Sequence, residues 1–241
     1  MPIYIDSAKR VFTLRTKNTT YQMMADDMGG LVHLYYGPAV DDCAMDHLVR
    51  RDDKSFAPCP ADLGTLRNYS FDFLPQEYSS WGNGDYRTAA VKVTFPDGSN
   101  ALDLRYEGHQ TSKGKAPLAG LPAVYANEDE AETLEITLKD RFSEVYVVLS
   151  YCVLPEFDAI ARSVKVINRT GAELTVNSAL SAMTDFRSVD YDLLTFGGRW
   201  ARERNMERIP LHNGKMVLNE AGLKVAARVM LNTALNYLAQ E

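Results

Sequence analysis

No apolar run in this chain approaches the ~20 residues that a membrane-spanning helix needs, so no membrane partner is expected. Cysteine is scarce. Cys43, Cys59 and Cys152 are an odd number and form no Cys-x-x-Cys pair, which argues against a disulfide framework and for free thiols. Met1-Pro2-Ile3-Tyr4 opens directly into patterned sequence with no signal-peptide features, so a cytoplasmic location is expected. Basic residues are in deficit, 26 Lys and Arg against 32 Asp and Glu, and they form no stripe, so nucleic acid is not an expected partner. The four histidines, His33, His47, His109 and His212, never pair at metal spacing. Cys43 and His47 would share a face if their stretch were helical, but two ligands without a third do not make a zinc site. No metal and no cofactor are expected. No Gly-x-Ser-x-Gly nucleophile elbow occurs.

What is present is an ordinary globular composition, 46% hydrophobic and 24% charged over 241 residues, enough to bury a sizeable core. From Val11 to about Leu194 the periodicity is that of β-strands. Residues 11–15 and 20–24 alternate, with Tyr21 and Met23 on one face. Residues 31–36 form a third strand entered through Gly29-Gly30. Val91, Val93 and Phe95 alternate against Lys92 and Thr94. Pro96-Asp97-Gly98 is a turn, and Leu102, Leu104 and Tyr106 return from it as the second arm of a hairpin. Leu134, Ile136 and Leu138 alternate against Glu135, Thr137 and Lys139, with Val145–Tyr151 as partner. Residues 160–167 and 174–182 read as another pair around Asn168-Arg169-Thr170-Gly171. About ten strands with short turns favour an all-β fold, a large antiparallel sandwich. Residues 216–241 differ: Leu223, Ala227, Met230, Leu231, Ala234, Leu235 and Leu238 recur at helical spacing, which predicts a C-terminal helix; it would cover a sheet edge or face, serve as an interaction helix, or be a tail unrelated to the rest.

Between the third and fourth strands lies a loop of about fifty residues, Gly37 to Arg87, holding eight aspartates. Loops of that length inside compact domains are usually functional or disordered. This one is rich in the planar polar and aromatic groups that bind sugars. Trp81 and Tyr86 offer flat apolar faces for stacking, although rings that pin the loop to the sandwich would look the same. Asp85 and Arg87 fit a structural ion pair. Gly82-Asn83-Gly84-Asp85 fits a tight turn. Asp185, Asp190 and Asp192 lack the glycine and terminal glutamate of a calcium loop and read as solvated turn residues. Asp26-Asp27, Asp41-Asp42 and Glu128-Asp129-Glu130 sit in polar stretches, where nothing suggests the burial that raises a carboxyl pKa for acid catalysis.

Several ordered motifs resemble one family. Leu74-Pro75-Gln76-Glu77-Tyr78, Gly84-Asp85-Tyr86-Arg87, Asp103-Leu104-Arg105-Tyr106, Lys113-Gly114-Lys115, Gly120-Leu121-Pro122-Ala123 and Glu132-Thr133-Leu134-Glu135 are similar to the N-terminal domain of α-galactosidases of glycoside hydrolase family thirty-six. So are Gly198-Arg199-Trp200-Ala201-Arg202-Glu203-Arg204-Asn205 and Glu207-Arg208-Ile209-Pro210-Leu211. The resemblance implies a β-supersandwich over residues 1–215, with residues 216–241 a tail departing from the family pattern. In the full enzyme, it implies a (β/α)₈ barrel carrying two catalytic aspartates, to which no position here corresponds. It further implies hydrolysis of terminal α-galactosides such as raffinose or melibiose, and a homo-oligomer. Asp53-Lys54-Ser55-Phe56-Ala57-Pro58-Cys59-Pro60 resembles the family loop whose aspartate accepts hydrogen bonds from galactose hydroxyls. Asp53 is therefore the first candidate site residue, with Asp52 its closest decoy, and Trp81 the second. An ionised carboxylate suits that role, being an acceptor only and forming charge-assisted bonds. The alternatives are a stand-alone carbohydrate-binding or oligomerisation module, and a remnant with unpaired sheet edges prone to associate.

Overall fold

The computed structural model describes residues 2–41, 43–53, 58–63, 66–85, 87–118, 120, 123–185 and 190–211. The expected C-terminal helix, Tyr86, and residues 54–57 of the Asp53 motif lie outside the described residues. The chain forms two units, Met1–Asp185 and Phe186–Glu241.

In the first unit, β1 (Ile3–Asp6), β2 (Val11–Arg15), β3 (Thr19–Ala25) and β4 (Leu31–Pro38) form an antiparallel sheet in that order. β5 (Val91–Thr94) follows the long loop. β6 (Leu104–Lys113), β7 (Glu132–Asp140), β8 (Val145–Leu154) and β9 (Ala159–Asn168) form a second four-stranded antiparallel sheet, and β10 (Thr175–Ala179) pairs with β5. The all-β antiparallel sandwich is therefore present. The second unit is described by one hairpin, β11 (Asp192–Arg199) and β12 (Arg202–Pro210), with Asp192 paired to Arg208 across it and Trp200 at its exposed tip.

Period-two alternation builds the core. Leu134, Ile136 and Leu138 stand opposite Tyr151, Leu149 and Val147, and all six are buried. They meet Phe12, Leu14, Tyr21 and Met23 of the first sheet, with Val91 and Val93 of β5 in the same cluster. Each fully buried side chain of this size contributes about 1.5–3 kcal/mol, so this interior sets which faces turn inward.

The strand positions hold, but two pairings do not. The Pro96-Asp97-Gly98 turn closes as expected, with Gly98 N–H donating to Phe95 O at 2.9 Å and Phe95 N–H to Ser99 O at 2.8 Å. The returning chain then leaves β5. Asp103 N–H donates to the Asp140 carboxylate at 2.8 Å, and residues from Leu104 on pair with β7. Likewise β9 pairs with β8, and β10 with β5, rather than with each other. Turn chemistry fixes where a chain reverses; it does not choose the strand that accepts the emerging backbone.

The long loop forms a further layer on the outer face of the first sheet. Gln22, buried on that face, donates to Thr13 Oγ1 at 2.9 Å and to Cys43 O at 3.0 Å, and accepts from Met45 N–H at 2.7 Å. Met45 joins Val11, Val32 and Leu34 in a small apolar cluster, and Tyr69, Phe71 and Leu74 form another. The described part of the loop is thus packed structure, with apolar anchors and a satisfied amide at its root. Among the described residues, no helix is long and apolar enough to cross a membrane.

Candidate functional site

The loop begins with 3₁₀ turns at Asp46–Leu48 and Ala61–Leu63. Its last stretch runs along the sandwich. His33 N–H donates to Pro75 O at 2.7 Å and Glu77 N–H to Leu31 O at 3.0 Å, so residues 75–77 extend the edge of β4. Val91 N–H donates to Ser79 O at 3.1 Å and Leu102 N–H to Trp81 O at 2.9 Å. The expected tight turn at residues 82–85 forms, bridged between Gly82 and Asp85.

Beneath this stretch lies a group that sequence reasoning did not single out. Glu77 is completely buried. Tyr21 Oη donates to its carboxylate at 2.6 Å, Tyr151 Oη at 2.8 Å, and Arg162 Nη2 lies 2.8 Å away. His33 Nδ1 bonds its other oxygen at 3.1 Å. Burial by itself would raise the Glu77 pKa, but the bond to His33 and the charge of Arg162 outweigh it and hold the carboxyl below its ordinary value. Burial, followed by the adjacent Glu77 charge, pushes the Tyr21 and Tyr151 hydroxyls well up, so both stay protonated donors. The available sequence signal was a charged residue inside an apolar, aromatic segment, Leu74 to Tyr78. His33 itself is buried, 5% exposed.

The predicted site residues have partners of their own. Asp53 is exposed, its side chain 62% accessible, and its carboxylate takes Arg67 Nε at 3.2 Å. Trp81 is half-buried, with Lys92 Nζ 4.7 Å from its ring centroid. These two residues therefore have different partners. Asp85 and Arg87 form the expected structural pair, bidentate at 3.0 Å on each arm, and Gln76 Nε2 donates to Asp85 at 2.6 Å. Cys43 is exposed and Cys152 buried, and all three cysteines are free. Among the described residues, no group of three or more His, Cys, Asp or Glu could hold a metal ion.

Two aspartates depart from their expected settings. Asp185 is not a solvated turn residue: burial raises its pKa, opposed by the Arg87 charge, and Arg87 Nη1 lies 3.4 Å from it. Asp26 is not in an open polar stretch. It is 2% exposed, and its Oδ1 accepts from Met28 N–H and Gly30 N–H, both at 2.9 Å, organising the turn into β4. Arg51 Nη2 reaches its Oδ2 at 3.3 Å, beside a polar cleft of about 330 Å³ walled by Lys9, Asp46 and Arg51. Burial, only partly offset by these hydrogen bonds and by Arg51, raises the Asp26 pKa above its ordinary 3.8. Ionisation of Asp26 thus opposes folding. Its contribution to stability is fully present below pH 3.8 and is lost as pH rises through the raised folded value. Asp26→Asn keeps the Oδ1 acceptor and removes the charge. It is expected to be neutral or stabilising at pH 7, by up to about 1 kcal/mol; a urea titration showing a clear loss would contradict this.

With this geometry in place, the chain can be set beside known proteins. The sequence profile of the glycosyl hydrolase family 36 N-terminal domain matches residues 29–222. The bifunctional α-galactosidase/sucrose kinase AgaSK of Mediterraneibacter gnavus is 44% identical over 214 residues, covering 89% of this chain and 23% of that protein. The α-galactosidase AgaA of Geobacillus stearothermophilus is 40% identical over 215 residues, covering 89% of this chain and 29% of its own length. The solved galactosidase domain of AgaSK superposes with a TM-score of 0.84 over 88% of this chain and 29% of that one. The α-galactosidase AgaB of Geobacillus stearothermophilus superposes at 0.81, with 40% identity over 89% of this chain and 29% of that one. The chain therefore spans between a fifth and a third of the length of each of these relatives.

Proposed function

Since this chain belongs to glycosyl hydrolase family 36, as its N-terminal domain, we propose that it serves as the non-catalytic front portion of an α-galactosidase. In that role it supports the remainder of the enzyme, takes part in a homo-oligomer, and supplies Asp53, with Trp81 secondary, to a galactose pocket. The reading extends to a domain over residues 1–215 and a separate tail over 216–241. Variants of AgaA have been solved in complex with raffinose and with stachyose, which points to α-galactoside oligosaccharides as the substrate class.

The single observation that carries the reading is the family match along residues 29–222. The chemistry within the chain agrees with a supporting role. A retaining glycosidase needs two carboxyls about 5–5.5 Å apart, one of them free to hold a proton. Among the described residues, the buried carboxylates are committed elsewhere: Glu77 to Arg162, Asp85 to Arg87, Asp103 to Arg105 and Arg141, Asp26 to Arg51 and two backbone amides, and Asp140 to the Asp103 and Phe142 amides and the Ser143 hydroxyl. Asp53, by contrast, presents its carboxylate outward with one exposed partner.

The test is turnover of a chromogenic α-galactoside by the purified chain, alone and mixed with a polypeptide carrying the complementary three quarters of a family member. The chain alone is expected to stay at background and the mixture to turn over. Asp53→Asn is expected to raise KM in the mixture at least tenfold. Robust turnover by the chain alone would overturn the supporting role, and an unchanged KM would remove Asp53 from the pocket.

A further inference from the structure

A small cleft of about 190 Å³ opens at the rim of the sandwich, where the first sheet meets β9. Thr19, Tyr21 and Tyr36 of the first sheet line one side of it. Arg162 of β9 lies over the Tyr21 ring, 5.8 Å from its centroid. Ala182 and Thr184, beyond β10, line another side, and Asp158 from the turn between β8 and β9 stands at one end.

The walls are held by bonds within the chain. Arg162 Nη1 donates to Met183 O at 3.3 Å, between the two lining residues Ala182 and Thr184. Just before them, Leu180 N–H donates to Ala90 O at 2.8 Å and Leu180 O accepts from Tyr78 Oη at 2.8 Å. At the far end, the Asp158 carboxylate accepts from the Thr16 hydroxyl, from Asn18 N–H at 3.1 Å and from Asn18 Nδ2 at 3.2 Å, which ties the turn before β9 to the turn before β3. The cleft is therefore formed before any ligand arrives, and little ordering is left to oppose binding.

Charge and lining narrow the ligand class. The Arg162 cation is matched by the completely buried Glu77, 2.8 Å away, and the Asp158 carboxylate stands apart from it at the end of the cleft. One compensated cation and one carboxylate give a phosphate or a carboxylic acid no unmatched positive charge to meet. Threonine hydroxyls, which both donate and accept, stand beside the Tyr36 ring, which is 48% exposed, and the side chain of Ile160. Hydroxyls and a carboxylate next to an aromatic face suit a ligand that is polar at its edge and apolar on its flat side. Pockets enclosing drug-sized ligands run to about 300–1,000 Å³, so this smaller cleft suits a single ring.

We propose that this cleft binds one neutral sugar ring, its apolar face against Tyr36 and its hydroxyls toward Thr19, Thr184 and Asp158. Asp53 does not line it, so this site stands independently of any galactose contact at Asp53.

Saturation transfer to methyl α-galactoside tests the site, measured on the purified full chain carrying Asp53→Asn so that any contribution from that residue is gone. A signal is expected. In the same background Tyr36→Ala removes the ring, and Ala182→Phe fills the cleft from an exposed position. Each is expected to weaken binding about fivefold or more, with thermal melts unchanged. Tyr125→Ala, at an exposed tyrosine outside the cleft, is expected to leave binding intact. Methyl α-galacturonide, the uronate, is expected to bind more weakly than the neutral ring. No signal in the Asp53→Asn chain overturns the proposal; a signal confined to the unsubstituted chain would place the sugar at Asp53 instead. Binding unchanged in either Tyr36→Ala or Ala182→Phe overturns it, and so does a uronate bound as tightly as the neutral ring, which would assign the cleft to an anion. Should Tyr36→Ala lower the melting temperature, Ala182→Phe decides.

Discussion

Glu77→Ala is expected to lower the unfolding free energy by about 3–5 kcal/mol, the cost of breaking a buried ion pair by removing one partner. The variant leaves the Arg162 guanidinium, 13% exposed, without its carboxylate, and deprives the Tyr21 and Tyr151 hydroxyls of their acceptor. Total stabilities of about 5–15 kcal/mol make that a large fraction, enough to unfold a marginal domain. Urea titration at constant m-value measures it. Adding Arg162→Met should recover part of the loss, because the stranded charge goes with it; a double-mutant cycle without coupling would refute the pairing as the source. The same cluster predicts an acid limb. The folded Glu77 pKa lies below its ordinary 4.5, so its contribution is present above about pH 4.5 and is lost as pH falls through the folded value. Wild-type stability should drop in that range, and the drop should be shallower in Glu77→Ala.

Gly82→Ala is expected to cost about 2–4 kcal/mol, from backbone strain and overpacking together. Gly82 has φ +109°, and a Cβ there would stand 2.8 Å from Ala101 Cβ and 3.0 Å from its Cα, where only backbone movement could relieve the contact. Gly98→Ala is the control: φ is +84°, but nothing lies within 4 Å of the added carbon. Strain without a clash should cost about 1–2 kcal/mol. Thermal melts of the two variants separate the terms, and equal shifts would mean that the approach to Ala101 imposes no constraint. The turn at residues 82–85 follows directly on Trp81, so the larger shift should be accompanied by a change in tryptophan emission.

The sequence by itself determined the class of fold and the placement of most strands. Leu134, Ile136 and Leu138 against Val147, Leu149 and Tyr151 are legible because side-chain direction alternates with a period of two, and a one-residue slip would expose the whole set. Short-range chemistry was equally legible in the turns at Pro96–Gly98 and Gly82–Asp85 and in the Asp85–Arg87 pair, whose partners are close in sequence. The ordered motifs gave the family. Only the tertiary structure decided which strands pair. β5 meets β10 across some eighty intervening residues, and no local pattern encodes that choice. Nor could the burial of Glu77, Asp26 and Asp103 be read from the chain. A carboxylate enters a core only where remote cations and hydroxyls converge, and Arg162 and Tyr151 reach Glu77 from positions far along the sequence. The same holds at the candidate site. The Asp53 motif was visible as a string of residues. That Asp53 would meet Arg67, and that Asp62 would meet Arg105 and Arg141, was not, because charges that distant in sequence are brought together only by the fold.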